Sequence, residues 1–143
     1  MPTHLIFSPA ENNLMDDATR YANGMKTRRA VLGEAYVDKA TSAVTEFNRD
    51  WQEFITRTAW NDVWNRPGLE RRERSIIVLS IATALGAWGE FRIHVRGALN
   101  NGISRDEIKE VLMQAAIYAG VPAANHAFKE AMSVFAEVDA EKG

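Results

Sequence analysis

The histidines are the first candidates for acid–base chemistry, because the sequence contains three of them, His4, His94 and His126, and no cysteine. The absence of cysteine excludes disulfides, thiolate metal sites and thiol nucleophiles. His94 lies at the margin of a predicted apolar helix stripe, and Glu90 precedes it by one helical turn. A carboxylate there can orient the imidazole and hold it protonated, as a general acid near neutral pH requires. The alternative is a solvated Glu–His pair on a helix surface.

The spacing of the histidines does not predict a metal site. No two of them have metal-ligand spacing together with a carboxylate. His126 lies roughly opposite the apolar stripe of its own helix, so we expect a solvated or interface side chain. The sequence also has no glycine-rich phosphate loop and no Gly-x-Ser-x-Gly motif.

A cluster of arginines offers a second kind of chemistry. Arg71, Arg72 and Arg74 begin a predicted helix and could bind an anionic substrate through paired N–H donors. The alternative is a solvated first turn in which they pair with Glu70 and Glu73. The sequence leaves both interpretations open.

Two tryptophans mark a further candidate surface. Trp60 and Trp64 are one helical turn apart, on the side opposite Trp51, Phe54 and Ile55. Two apolar faces on one helix indicate an oligomer contact or a pocket wall. Core packing is the alternative for either tryptophan alone.

The elements that position these residues are predicted to be helices. From Met15 onward nearly every segment has helical periodicity, and no convincing alternating strand is present. Apolar residues on all sides of the helix predicted over 69–85 indicate that it is central and fully packed. The predicted helices span 16–32, about 45–65, 69–85, 87–101, about 104–119 and 122 onward.

The end of the chain carries the clearest helix boundaries. Ser104 and Glu107 form a capping box, Gly120 ends that helix, and Pro122 begins the next. We expect Phe128, Ala131, Met132, Phe135 and Val138 to form the buried stripe of the last helix. The simplest arrangement is an antiparallel hairpin.

Composition predicts one globular domain. The chain has 143 residues, of which 46% are hydrophobic and 25% charged, and a formal net charge of −2. That balance argues against a nucleic-acid or polybasic membrane binder. No apolar run spans a bilayer, and the first ten residues lack the features of a secretory signal, so we expect a cytoplasmic protein. Residues 1–14 are predicted to be an N-terminal arm, and residues 15–143 the helical domain.

Four motifs, in order, resemble the carboxymuconolactone decarboxylase family of the alkylhydroperoxidase-D-like superfamily. They cover the chain from about residue 20 onward. The motifs are 25–33 (MKTRRAVLG), 66–69 (RPGL, with the arginines that follow), 94–102 (HVRGALNNG) and 118–125 (YAGVPAAN).

The resemblance implies an all-helical subunit of about six to seven helices in a homo-oligomeric ring, a hexamer or trimer. It also implies cofactor-independent decarboxylation of a small anionic lactone, 4-carboxymuconolactone, to 3-oxoadipate enol-lactone in protocatechuate degradation. Redox members of the superfamily carry Cys-x-x-Cys-x-x-x-His, where this chain has Ala87, Glu90 and His94. Dithiol peroxidase chemistry is therefore not available to it.

Within that resemblance the candidate residues take specific roles. We expect His94 to be the proton donor or the oxyanion partner, and Glu90 to be the carboxylate that orients it. Arg71 and Arg74 are expected to hold the acetate arm of the substrate. The alternatives are an acid–base isomerase or hydrolase acting on a related lactone, and a helical assembly protein without catalytic activity.

Overall fold

The computed structural model describes residues 15–143, which form seven α-helices and one π-helical segment. The all-helical prediction is confirmed, and no strand occurs within that range. The predicted arm and His4 lie outside it. The elements are α1 (Asp17–Leu32), α2 (Glu34–Ser42), α3 (Arg49–Ile55), the π segment (Thr56–Asn61), α4 (Arg71–Leu85), α5 (Trp88–Asn100), α6 (Arg105–Ala119) and α7 (Val121–Glu141).

Helices α4 to α7 enclose the larger of two cores, centred on the wholly buried Leu79, Phe91, Ile108 and Leu112. The predicted capping box at the start of α6 is present. The Ser104 hydroxyl accepts from the Glu107 amide, and the Glu107 carboxylate accepts from the Ser104 amide, both at 3.0 Å.

The predicted hairpin of α6 and α7 is also present. Gly120, with φ +102°, separates the two helices. Arg105 at the start of α6 pairs with Asp139 near the end of α7 at 2.5 Å, so the helices run antiparallel. In the buried stripe predicted for α7, the placement of Met132 is wrong, because this residue is exposed.

The helix predicted over 69–85 corresponds to α4, and the prediction that it is packed on all sides is wrong. One face of α4 is buried through Ser75, Leu79 and Thr83. The opposite face leaves Ile81 and Leu85 exposed, Leu85 to 76%. The isolated chain therefore presents apolar side chains from a helix whose composition predicted complete burial.

Helices α1 and α2, the latter not predicted, pack with the π segment and α5 around a second core. Helix α1 approaches the π segment closely at Gly24, where an added Cβ would lie 2.1 Å from the Thr56 carbonyl oxygen. It approaches α5 at Gly97, where a Cβ would lie 3.1 Å from Val31 Cγ1. Small residues at these two points allow the backbones to pack against each other. No helix within residues 15–143 is long and apolar enough to cross a membrane.

The predicted helix over 45–65 is interrupted by the π segment. The hydroxyls of Thr56 and Thr58 donate to carbonyls four residues earlier, at 2.7 Å each. Such side-chain bonds compete with the backbone ladder and bend helices. The widened turn continues to Trp64, whose amide donates to the Ala59 carbonyl five residues earlier at 3.0 Å.

Candidate active site

His94 lies beneath the two tryptophans of the widened turn. Helix α5 places its imidazole parallel to the Trp60 and Trp64 rings, with centroids 6.0 Å away in each case. The two indoles stack on each other at 5.1 Å. Both tryptophans are buried within the chain and lie over the histidine, which agrees with the pocket-wall and core interpretations and not with an oligomer contact. The exposed aromatic pair on this stretch is Trp51 and Phe54.

The His94 imidazole is neutral at neutral pH. Only 6% of the residue is exposed, and this burial lowers its pKa to about 4. Its Nδ1 atom is buried without a hydrogen-bond partner among residues 15–143. The expectation of a protonated imidazole is therefore wrong, because the cost of burying the charge exceeds the attraction of Glu90.

Glu90 is too far from His94 and too solvated to hold a charge on it. The Glu90 Oε2 atom lies 3.8 Å from His94 Nε2, beyond hydrogen-bond distance. The carboxylate side chain is 68% exposed, so water screens its field. The pair sits at the boundary between solvent and the aromatic enclosure.

A further titratable group, the Tyr36 phenol, interacts electrostatically with Glu90 and with Arg28. Burial and then the Glu90 carboxylate raise the pKa of the Tyr36 phenol, whereas the Arg28 guanidinium lowers it. Tyr36 is thus within electrostatic range of both groups. Its hydroxyl stays protonated at neutral pH and can donate a hydrogen bond.

Sequence reasoning did not assign Arg28 or Tyr36 to the site. Arg28 belongs to the buried face of α1, together with Gly24, Thr27 and Val31. These positions follow the i, i+3, i+4, i+7 spacing of a core-facing stripe. A charged residue on such a stripe was the signal that could have identified it.

The structure does not bring Arg71 or Arg74 to His94. Arg71 is exposed and borders a groove of about 520 Å³ whose wall includes Trp64. Arg74 donates from Nη2 to the Arg66 carbonyl at 3.0 Å. Within residues 15–143, neither guanidinium forms a hydrogen bond or ion pair with His94 or Glu90. Trp64 is the feature common to the groove and the histidine enclosure.

The neighbouring acidic residues cap the start of α4 and do not pair with these arginines. Glu70 and Glu73 form a reciprocal capping box at the start of the helix. Arg72 pairs instead with Glu107 of α6 and donates to the Gly102 carbonyl at 3.1 Å.

His126 lies apart from the His94 cluster, as an exposed side chain. Its ring stacks on Trp88 with centroids 4.1 Å apart, and its Nε2 lies 3.2 Å from a Glu130 oxygen. No group of three or more potential metal ligands occurs within the described part of the chain.

The amino-acid sequence of this chain is similar to those of known decarboxylases. The model of the carboxymuconolactone decarboxylase family matches residues 49–132, which include His94 but not Arg28 or Tyr36. A 4-carboxymuconolactone decarboxylase from Acinetobacter baylyi is 43% identical over 124 residues, covering 87% of this chain and 92% of the relative.

Two further relatives extend the comparison. A nitrosuccinic acid decarboxylase from Metarhizium robertsii is 45% identical over 102 residues, 71% of each chain. A 4-carboxymuconolactone decarboxylase sequence from Pseudomonas putida is 50% identical over 48 residues, which span 34% of this chain and all of that sequence.

Proposed function

This chain belongs to the carboxymuconolactone decarboxylase family, with an alkylhydroperoxidase-D-like all-helical fold, and we propose that it decarboxylates 4-carboxymuconolactone without a cofactor. The product is 3-oxoadipate enol-lactone, an intermediate of protocatechuate degradation. The observation that carries the proposal is the 43% identity to a 4-carboxymuconolactone decarboxylase over 92% of that relative's length. A pathway of this kind operates on metabolites inside the cell, so the proposed location is the cytoplasm.

The substrate supplies its own electron sink. As carbon dioxide leaves, the electron pair of the breaking bond passes through the ring double bond to the lactone carbonyl. The enzyme then has two tasks, to stabilise the resulting dienolate oxygen and to deliver one proton to carbon. No residue has to remove a proton in the bond-breaking step, because the reacting carboxylate is already ionised.

His94 fits the first task as a neutral hydrogen-bond donor. A neutral imidazole carries one N–H, and inside a dry aromatic enclosure its bond to a developing oxyanion is stronger than in water. For the second task, the negative charge of the dienolate raises the pKa of the ring, so the imidazole takes up a proton that comes from water. The resulting imidazolium gives one proton to the carbon and returns to its neutral form. Glu90, exposed and with Oε2 3.8 Å from His94 Nε2, is the group suited to pass a proton from water toward the ring.

The tryptophans fit the departure of carbon dioxide. A carboxylate held against the apolar faces of Trp60 and Trp64 loses hydration that the neutral product does not need. This raises the free energy of the ground state relative to the transition state. Tight pairing of the same carboxylate with an arginine would have the opposite effect.

Arg71 and Arg74 are not equal candidates for binding the substrate. Arg74 is already bonded to the Arg66 carbonyl, whereas Arg71 forms no ion pair within residues 15–143 and faces the groove beside Trp64. Arg71 is therefore the better of the two for attracting an anionic substrate from solution.

A second candidate substrate is nitrosuccinate. The 45% identity to a nitrosuccinic acid decarboxylase favours it, and that reaction also needs a delocalised carbanion followed by carbon protonation. The nitro group takes the place of the lactone carbonyl as electron sink. The same enclosure serves both reactions, so the two substrates have to be compared directly.

The proposed assembly is a homo-oligomeric ring, a hexamer or trimer, in which a second copy covers the outer face of α4 and α6. These helices border a groove of about 500 Å³ lined by Ile76, Val111 and Tyr118. Ile81 and Ile117 are exposed beside it, Ile117 to 79%. An apolar patch of this kind is characteristic of a surface that is buried in the assembled protein.

The experiment is release of carbon dioxide by the purified full chain after exhaustive chelation of metals. We expect stoichiometric release from 4-carboxymuconolactone, and a higher kcat/KM than with nitrosuccinate. Consumption of the lactone without carbon dioxide would indicate an isomerase or hydrolase instead. No consumption would favour a non-catalytic assembly protein, and turnover restored only by a divalent ion would contradict the cofactor-independent mechanism.

A further inference from the structure

Arg28 carries a buried positive charge that forms no ion pair with a carboxylate of residues 15–143. The residue is 6% exposed, and its guanidinium makes one long hydrogen bond, from Nη1 to Gln52 Oε1 at 3.3 Å. Its Nε is buried without a partner among residues 15–143. A guanidinium has five N–H donors and does not lose its proton in proteins, so most of these donors have no hydrogen-bond partner among residues 15–143.

More accessible arginines of this chain differ from Arg28, because they pair with carboxylates. Six arginines, all with more exposed side chains, form ion pairs with carboxylates at distances of up to 3.2 Å. They are Arg20, Arg29, Arg72, Arg92, Arg96 and Arg105. Arg28, the most buried arginine of residues 15–143, thus has no carboxylate partner there. Burying an unpaired charge is costly, and the cost falls when an anion binds.

Arg28 also borders a space that could admit part of a ligand. A cavity of about 200 Å³ is lined by Arg28, Met25 and Thr56, with Arg49 and Glu53 among its other walls. Met25, in the wall of this cavity, packs against the second core, which includes Trp60, the ring stacked on His94. The cavity therefore adjoins the core that carries the tryptophan over the proposed catalytic histidine.

We propose that Arg28 binds the carboxylate that the substrate retains, and so fixes the substrate class as dicarboxylic acids that lose one carboxyl group and keep the other. This inference rests on the proposed function. In 4-carboxymuconolactone the retained group is the acetate arm, and nitrosuccinate also has two carboxylates. One carboxylate lies against the apolar tryptophans, and the other pairs with the buried arginine.

The role has a distinct kinetic signature. The retained carboxylate has the same charge in the ground state and the transition state, so Arg28 stabilises both equally. Loss of such uniform binding raises KM and leaves kcat nearly unchanged. A residue needed only for folding would not distinguish a carboxylate from its ester.

The test compares Arg28→Gln with Arg29→Gln, the same substitution at the next, more exposed position of α1. Substrates are 4-carboxymuconolactone and its monomethyl ester on the acetate arm. We expect the unmodified protein to prefer the acid at least tenfold in KM, Arg28→Gln to abolish that preference, and Arg29→Gln to keep it. Arg28→Lys retains the charge without the planar fork, and should give an intermediate KM. An undiminished preference for the acid in folded Arg28→Gln or Arg28→Lys would overturn the proposal.

A binding measurement separates this inference from the proposed function. Succinate, an unreactive dicarboxylate, is titrated against the tryptophan fluorescence of the same variants. We expect at least tenfold weaker binding in Arg28→Gln, and unchanged binding in Arg29→Gln. If the lactone is not decarboxylated but succinate binding depends on Arg28, the reaction is wrong and the carboxylate site stands. If the lactone is decarboxylated and neither KM nor succinate binding depends on Arg28, the site is wrong and the reaction stands.

Discussion

Burial of His94 makes the stability of the fold depend on pH well above the range in which carboxylates titrate. The pKa is lowered to about 4 in the folded chain, against about 6.5 in the unfolded chain. As the pH falls from 7, the unfolded chain binds a proton that the folded chain does not, so stability decreases. The decrease stops near pH 4, where the folded chain also binds the proton.

The magnitude follows from these two values. Between pH 7 and pH 5 the free energy of unfolding should fall by about 2 kcal/mol because of His94 alone. This range lies above the region in which Asp62 and Glu107 titrate, since their pKa values are lowered by their arginine, amide and backbone partners. The carboxylates therefore contribute little to the difference between pH 7 and pH 5.

The assay is urea denaturation at fixed protein concentration, at pH 7 and at pH 5. His94→Gln should lack the 2 kcal/mol component, whatever its absolute stability. His126→Gln removes an exposed histidine by the same substitution, and should retain the component because it keeps His94. A wild-type stability that does not change over this range, or the same decrease in His94→Gln, would refute the neutral, buried imidazole.

The remaining predictions concern packing and assembly. Gly24→Ala should destabilise the fold by about 3 kcal/mol or more in thermal or urea unfolding, because the new Cβ would lie 2.1 Å from the Thr56 carbonyl oxygen. Gly89→Ala, which meets nothing within 4 Å, should be neutral or slightly stabilising. Ile81→Glu and Ile117→Glu should dissociate the oligomer in sedimentation velocity with unchanged helix content by circular dichroism, and oligomers of unchanged mass would contradict the proposed interface.

The parts of the fold that the sequence predicts are those determined locally. The capping box of Ser104 and Glu107 needs only residues within one turn, and Gly120 adopts a positive φ that other residues avoid. Such signals do not depend on what packs against the helix. The C-terminal hairpin is therefore predicted correctly from its boundaries.

The sequence predicts less where the packing of one element against another decides the outcome. The composition of α4 predicts burial, but residues 15–143 leave Leu85 exposed. A helical wheel puts Trp60 and Trp64 on the side opposite Trp51 and Phe54, as in the structure, but it does not show which of the two sides faces the core. The exposed side is that of Trp51 and Phe54, and the other two tryptophans lie over His94.

The sequence predicts the location of the candidate site better than it predicts the charges of the site residues. The sequence singles out His94 because few other residues can perform the chemistry. The charge of its imidazole depends on the depth of burial, which a helical wheel does not give, so the attraction of Glu90 was overestimated. Arg28 was missed because a charged residue in a helix is ordinarily solvated, although its spacing with Thr27 and Val31 places it on the core face.

The most direct test of the central claim is the rate of carbon dioxide release from 4-carboxymuconolactone by His94→Gln, measured in the presence of a chelator. If the buried imidazole stabilises the dienolate and delivers the proton, kcat should fall by about a hundredfold or more, while His126→Gln keeps the wild-type rate. Near-normal turnover by a folded, assembled His94→Gln protein would contradict the account.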